Sequence, residues 1–430
     1  MNISSRWQQK LYFFSLVAVL YTTLFSWLNL NSVCIMVLAA SRLLYKPSAS
    51  IKTAFADKVF VAYLFFFFVE AAGFFYTHNI TEQGKALSKE ATLVAVAFAC
   101  CADALADAQT YRRLVTWYYF LLMAASVYCL AFALRNYVLT KDSSVFFYHS
   151  LTMPISQNAV FFSVYVVFGL LLLLSPYGEP VGGRLLPPGK KVLRFTLIAF
   201  FLGMIILLSS KLLLVIALLL LVNAFLRRYS FRKNKRAVLV CGSALLLAVC
   251  LLALTDNPVS RRYRELAAGN LYVVRQEKFN PGMYFNALQL RLLEFRFASQ
   301  ILHEHQAWLF GVSSGDSQGL LDQKYVQTNM YIGNPAEGPH RHIRGFIGYN
   351  FHNQYLETLV RSGLLGLAAL LGIFAMLFAA ARKQGTREGW YAVLIIAIFF
   401  IPEAPLTMQH GVFMFCFFPL LLLYGPKRIN

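Results

Sequence analysis

Long apolar runs separated by short polar stretches organise this chain. They occupy residues 11–28, 31–44, 59–76, 87–102, 114–134, 158–174, 192–209, 212–226, 237–254, 364–381, 390–401 and 412–424. Runs of this kind approach the roughly 20 apolar residues that a helix needs to cross about 30 Å of hydrocarbon. The pattern predicts an all-α, polytopic membrane protein of about twelve spans, several of them short. The first two runs would also fit one broken span. The first run lacks a small-residue cleavage site and leads straight into the second, so no cleavable signal is expected.

One stretch breaks the pattern. Residues 255–361 are polar and mixed, and they fall between the ninth and tenth runs. The expected organisation is therefore 1–254 for the first nine spans, 255–361 for a large helical segment outside the membrane, and 362–430 for the last three spans. A structureless loop of that length would be unusual. Within it, 286–305 reads as a helix with apolar Leu288, Leu292, Phe295, Ile301 and Leu302, preceded by the turn signal Pro281-Gly282. Residues 311–319 read as a tight turn, and 325–344 as irregular chain.

Composition agrees with the pattern. The 430 residues are 58% hydrophobic and 13% charged, against about half and a quarter for soluble domains. A soluble enzyme, a disordered tail and a secreted disulfide scaffold are excluded. All seven Cys fall inside apolar runs, so neither a disulfide framework nor a zinc site is indicated.

The net charge of +20 would suit nucleic acid, but its distribution does not. With the N-terminus in the cytoplasm, twenty-three basic residues fall on inner loops and five on short outer loops and helix ends. That asymmetry orients the chain with both ends inside and the long segment outside. The other eleven basic residues lie in the long segment, facing nine carboxylates, with five of the eight His.

Two charges sit at membrane depth. Lys211 follows Ser209-Ser210 in the middle of an otherwise apolar stretch, which fits a hairpin with its vertex at the outer face. A charge so placed is functional by default, the alternative being a lysine that snorkels to headgroups. Glu70, in the outer half of the third run, could pair with a cation such as Lys211.

Several other motifs carry less. His303-Glu304-His305 does not make a metal site, because residues i and i+2 on a helix point apart. His340-Arg341-His342 lacks further ligands at metal spacing. No Walker A run or dinucleotide fingerprint occurs, and no metal or cofactor is expected. The outward arginines, among them Arg291, Arg296 and Arg344, suit a phosphorylated ligand because guanidinium holds phosphate oxygens in pairs. His352, close to where the chain re-enters the membrane, suits proton abstraction from a hydroxyl.

Three ordered motifs resemble the bacterial O-antigen ligase and O-antigen polymerase superfamily. The first is the Ser209-Ser210-Lys211 vertex, where that family usually has Ser-Arg. The second is LRLLEFRFASQILHEHQAWLFGVSSGD, with Arg291 in the Arg place, Phe295 in the place of a Trp, and Gly311, Gly315 and Asp316 in the turn. The third is FHNQYLETLVRSGLLGL, with His352, Asn353, Tyr355, Gly363 and Gly366. The motifs span roughly residues 195–380. Departures are Lys for Arg at 211, Phe for Trp at 295, and Ser313 where a Gly is common.

The resemblance implies a GT-C-like membrane fold and an inverting, metal-independent glycosyltransferase of the bacterial inner membrane with a periplasmic active site. Its donor would be a glycan on undecaprenyl diphosphate, and its acceptor lipid A–core or another glycan. Arg291 and Lys211 would hold the diphosphate, His352 would be the general base, and Asn353 would orient it. Glu70, Arg296 and Arg344 are further candidate substrate contacts. A polymerase acting on the same donor, or transfer to protein Ser or Thr, shares this layout. A flippase or transporter is the rival of another class. It would spread ionisable residues through several spans, whereas here they are sparse at membrane depth.

Overall fold

The computed structural model of the chain describes residues 3–44, 47–102, 104–175, 188–228, 270–333 and 345–426. The ninth run (237–254), His340, His342 and Arg344 lie outside the described residues. Among those described, the chain forms helices and no strand. The helices are α1 (Ile3–Leu24), α2 (Leu28–Leu44), α3 (Pro47–Ala56), α4 (Lys58–Ala71), α5 (Ile80–Cys100), α6 (Ala108–Thr140), α7 (Tyr148–Thr152), α8 (Ala159–Leu174), α9 (Pro188–Leu208), α10 (Lys211–Arg228), α11 (Ala287–Glu304), α12 (Ser317–Gln327), α13 (Gln354–Gln384), α14 (Arg387–Phe399) and α15 (Gln409–Tyr424). The all-helical expectation holds.

Among the described residues, three helical stretches are long and apolar enough to cross a membrane: Lys58–Phe75, where α4 runs into a 3-10 turn, α6 and α13. A fourth is reached if Tyr148–Ile155 and Ala159–Leu174, bent by 83° to one another, count as one broken span. Other apolar runs form helices too short for the roughly 20-residue requirement, as in α15 with 16 residues, or interrupted by charge, as in α5 with Lys85, Lys89 and Glu90. The first two runs are separate helices, divided at Ser26, whose φ is +55°.

Two compact units divide the chain. One comprises residues 1–41, 105–264 and 425–430. Within it α8 packs against α6, α9 and α10. Helix α8 is apolar all round, as a helix enclosed by neighbours must be, and its residues from Ala159 to Leu173 are buried apart from Val160. The side chains that tie it down are polar: Tyr118 Oη donates to the Tyr165 carbonyl at 2.5 Å and Arg194 Nε to that of Leu173 at 2.8 Å. The expected hairpin is present, with α9 ending at Leu208, Ser209 turning at φ +51°, and Lys211 opening α10.

The second unit comprises residues 42–104 and 265–424. Helix α4 packs on α13, α5 on α15, and α14 on both α13 and α15. Above this bundle, α11 and α12 close over a second core of Phe279, Phe285, Leu293, Phe297, Tyr325 and Phe351. Their rings meet edge to face, as in Phe279–Phe285 at 5.0 Å and Phe297–Tyr325 at 5.9 Å. Each such buried ring stabilises the fold by roughly 1.5–3 kcal/mol.

Helix α11 begins where the sequence reading put it, and its start is fixed locally. Asn286 Oδ1 accepts from the N–H groups of Leu288 and Gln289, and Gln289 Oε1 accepts from the Asn286 N–H. This reciprocal cap satisfies donors the first turn would otherwise leave open. Of its apolar residues, Leu293, Phe297, Ile301 and Leu302 face the core, while Leu288, Leu292 and Phe295 are exposed. The run from 325 to 344 starts differently from the irregular chain expected, since α12 extends to Gln327 and buries Tyr325.

Helix α13 is broken at Gly363, with φ +63° and ψ −161°. Only glycine adopts that region readily. The break frees backbone groups, and the turn-rich stretch 308–313 takes them up. Leu364 N donates to Trp308 O at 2.8 Å, while Val312 N and Ser313 N donate to Val360 O and Arg361 O at 2.8 and 2.9 Å. Gly311, at φ +74°, lies where a Cβ would strike the Arg361 and Ser362 backbone. The two motif glycines thus let the turn after α11 clasp the kink of α13.

Candidate functional site

His352 is held by its neighbours in sequence. Phe351 is buried in the core and its N–H donates to Glu357 Oε2 at 3.2 Å. Asn353 caps α13, its Oδ1 accepting from Leu356 N at 2.9 Å. Between these anchors His352 adopts φ +43°, a left-handed conformation that is uncommon outside glycine. Strain of this kind persists only where the surroundings over-determine it, and it clusters at functional sites.

The imidazole meets Glu294. Its Nδ1 lies 2.8 Å from Glu294 Oε1, and the Glu294 side chain is fully buried. With the carboxylate as acceptor the proton sits on Nδ1, which leaves Nε2 as the proton acceptor. Glu294 stands one turn from Arg291 on α11, so both project on the same side. Arg291 reaches the loop after α14: Nε and Nη2 donate to Pro402 O at 3.2 and 2.8 Å, and Nη2 is 3.6 Å from Glu403 Oε1. About a third of the Arg291 side chain and a quarter of that of His352 remain open.

The charges balance when the imidazole is protonated: Glu294 and Glu403 against His352 and Arg291. Burial pushes the Glu294 carboxyl above its usual value, opposed by His352 and Arg291. Burial likewise raises Glu403, against the same two cations. For His352 burial acts downward, but the hydrogen-bonded Glu294 and then Glu403 outweigh it, and the net displacement is upward from 6.5.

A second polar cluster lies within the same unit. Glu70 was expected to meet a cation such as Lys211; its carboxylate accepts from Ser314 Oγ at 2.8 Å and Ser362 Oγ at 2.5 Å, and the cation that acts on it within this unit is Arg361. Arg361 stands 2.8 Å from Glu357 and 3.6 Å from Glu90. Gln83 spans the same ground, donating to Glu70 O and accepting from Gly315 N, both at 2.9 Å. Glu70 therefore helps to hold the 313–316 turn against α13, which accounts for its burial without a substrate.

Of the residues proposed from sequence, Arg291 and His352 come together around Glu294. Lys211 belongs to the other unit. Asn353 acts as a helix cap rather than as a partner of the imidazole. Arg296, a candidate substrate contact from the sequence, is engaged within the fold: Nη1 donates to Val274 O and Gln276 O at 2.5 and 2.7 Å, and the guanidinium lies over the Phe297 ring. Sequence reasoning missed Glu294 and Glu403. The Arg-x-x-Glu spacing of 291 and 294 was a usable signal, as was an acid flanked by Pro402 and Pro405 in a chain with only 19 carboxylates. Compared with protein-family models and with curated proteins, the chain matches none.

Proposed function

We propose that the chain is a membrane glycosyltransferase similar to the O-antigen ligases, moving a glycan from undecaprenyl diphosphate to a sugar hydroxyl of lipid A–core. The observation that carries this reading is the Glu294–His352 pair beside Arg291. A general base oriented by a carboxylate, next to a guanidinium, suits attack by an alcohol on a carbon that loses a diphosphate. The exposed stripe Leu288, Leu292 and Phe295 runs beside Arg291 on α11. An apolar stripe adjoining a cation fits a lipid-linked anion, with the phosphate on the guanidinium and the prenyl chain along the stripe.

The step balances simply. The acceptor oxygen attacks the anomeric carbon from the face opposite the leaving group, a C–O bond forms, and the bond to the diphosphate breaks with inversion. His352 Nε2 takes the hydroxyl proton, and Glu294 offsets the imidazolium that results. Arg291 offsets the charge that develops on the diphosphate. No cofactor is needed, because the donor is already activated. Lys211 is assigned to the same diphosphate by the resemblance alone. The twelve-span, GT-C-like architecture, the inner-membrane location, the cytoplasmic termini and the periplasmic site belong to this reading and rest on the distribution of Lys and Arg and on the resemblance.

Purified protein supplied with a polyprenyl-diphosphate glycan, with and without lipid A–core, tests it. Product that requires the core supports a ligase. Lengthened donor indicates a polymerase, and movement of donor across the bilayer without a new bond contradicts transfer altogether.

A further inference from the structure

A cavity of about 820 Å³ in the second unit is lined by the start of α5 and the 311–316 turn rather than by Arg291. Asn350 links it to His352: the residue lines the cavity, and its Oδ1 accepts from the His352 backbone N–H at 3.0 Å. Other lining groups are amides and acids such as Asn79, Asp322 and Gln323. Convergent amide and carboxylate groups are what a hydroxyl-rich ligand requires. The volume also lies within the range of ligand sites and far exceeds that of a free phosphate.

The cavity's cations are not equivalent. Lys85 is paired with Glu82 at 2.6 Å, and Arg361 with Glu357 and Glu90. Lys89 also lines the cavity; among the described residues no carboxylate lies within 4.0 Å of it, its Nζ donates to the Thr407 carbonyl at 3.3 Å, and Glu82 and Glu90 act on it only from farther away. A cation facing a polar cavity without a directly bound carboxylate favours an anionic ligand over a neutral one.

We infer that this cavity is the acceptor subsite, and that it takes an oligosaccharide bearing an oxyanion, phosphate or carboxylate, whose charge is met by Lys89. The inference rests on the glycosyl-transfer reading and adds the acceptor's chemistry to it. Asn350 would then place the bound sugar next to the base.

The test is equilibrium binding to the full chain in nanodiscs of uncharged lipid. The probes are maltotriose, maltotriose 6-phosphate and a glucuronate-terminated trisaccharide. Both charged probes are expected to bind about tenfold tighter than maltotriose at low salt, with the difference shrinking as salt rises. Lys89→Glu should abolish the difference and Lys89→Arg should keep it. Equal binding of charged and neutral probes to the wild type, or no binding, would overturn the inference whatever Lys89→Glu does to folding. Tight charged-probe binding together with full turnover by His352→Asn would sink the transfer mechanism and leave the subsite standing.

Discussion

At the scale of single residues, the account turns on which nitrogen of His352 is free and on what sets its proton affinity. The reactive form is the neutral imidazole, whose fraction rises as pH passes the His352 pKa. Glu294 holds that value above 6.5, so the rising limb of the pH–rate profile should lie above 6.5. Glu294→Gln removes the anion while burial and Arg291 continue to act downward, so the limb should move to lower pH. A pH profile of transfer by both proteins checks this; an unmoved limb would separate Glu294 from the base. Substitution of His352 itself can be made without adding strain. Asn tolerates φ near +43° better than most residues, so His352→Asn should fold as well as the wild type by thermal unfolding. Its turnover should fall by about 10²–10⁴-fold, as when a general base is removed.

At the scale of elements, the clasp between the 308–313 stretch and the break in α13 positions both the turn and His352's helix. Gly363→Ala would bring a Cβ onto the Leu309 carbonyl and the Phe310 N, in a backbone region closed to other residues. A loss of roughly 1–3 kcal/mol is expected, read as a lower unfolding midpoint in detergent; an unchanged midpoint would mean that the break is not held by glycine. Asn286→Ala should cost about 1 kcal/mol through loss of the α11 cap. These elements also show what the sequence made legible. The start of α11, the hairpin at Ser209 and the order of the helices followed from a turn signal, a lone charge and apolar runs, which are local signals. The buried face of α11 was not legible because both of its sides carry apolar residues, and only packing against Phe279, Phe285 and Tyr325 decides between Leu292 and Leu293. Glu294 and Glu403 were missed for a related reason. They are 109 positions apart in the chain, and nothing local announces that both will act on the same imidazole, Glu294 by contact and Glu403 from beside Arg291.

At the scale of the whole molecule, the distribution of basic residues makes a claim that labelling can check. In a chain whose cysteines are replaced by Ser, a single Cys introduced at His305 should react with a membrane-impermeant maleimide from the periplasmic side, and one at Arg232 should not. Reaction of both, or of Arg232→Cys alone, would reverse the orientation. Among the described residues, fewer helices have full spanning length than there are apolar runs, so short helices such as α15 must lie among longer ones, and its nearly complete burial agrees with that.

The central claim is that His352 takes the proton of an incoming hydroxyl while Arg291 receives a departing diphosphate. The most direct measurement is single-turnover transfer from a radiolabelled polyprenyl-diphosphate glycan to lipid A–core by the wild type, His352→Asn and Arg291→Ala. The account predicts core-dependent product from the wild type, donor bound but not consumed by His352→Asn, and weakened donor capture together with a lower rate in Arg291→Ala. Wild-type transfer by either variant would contradict it.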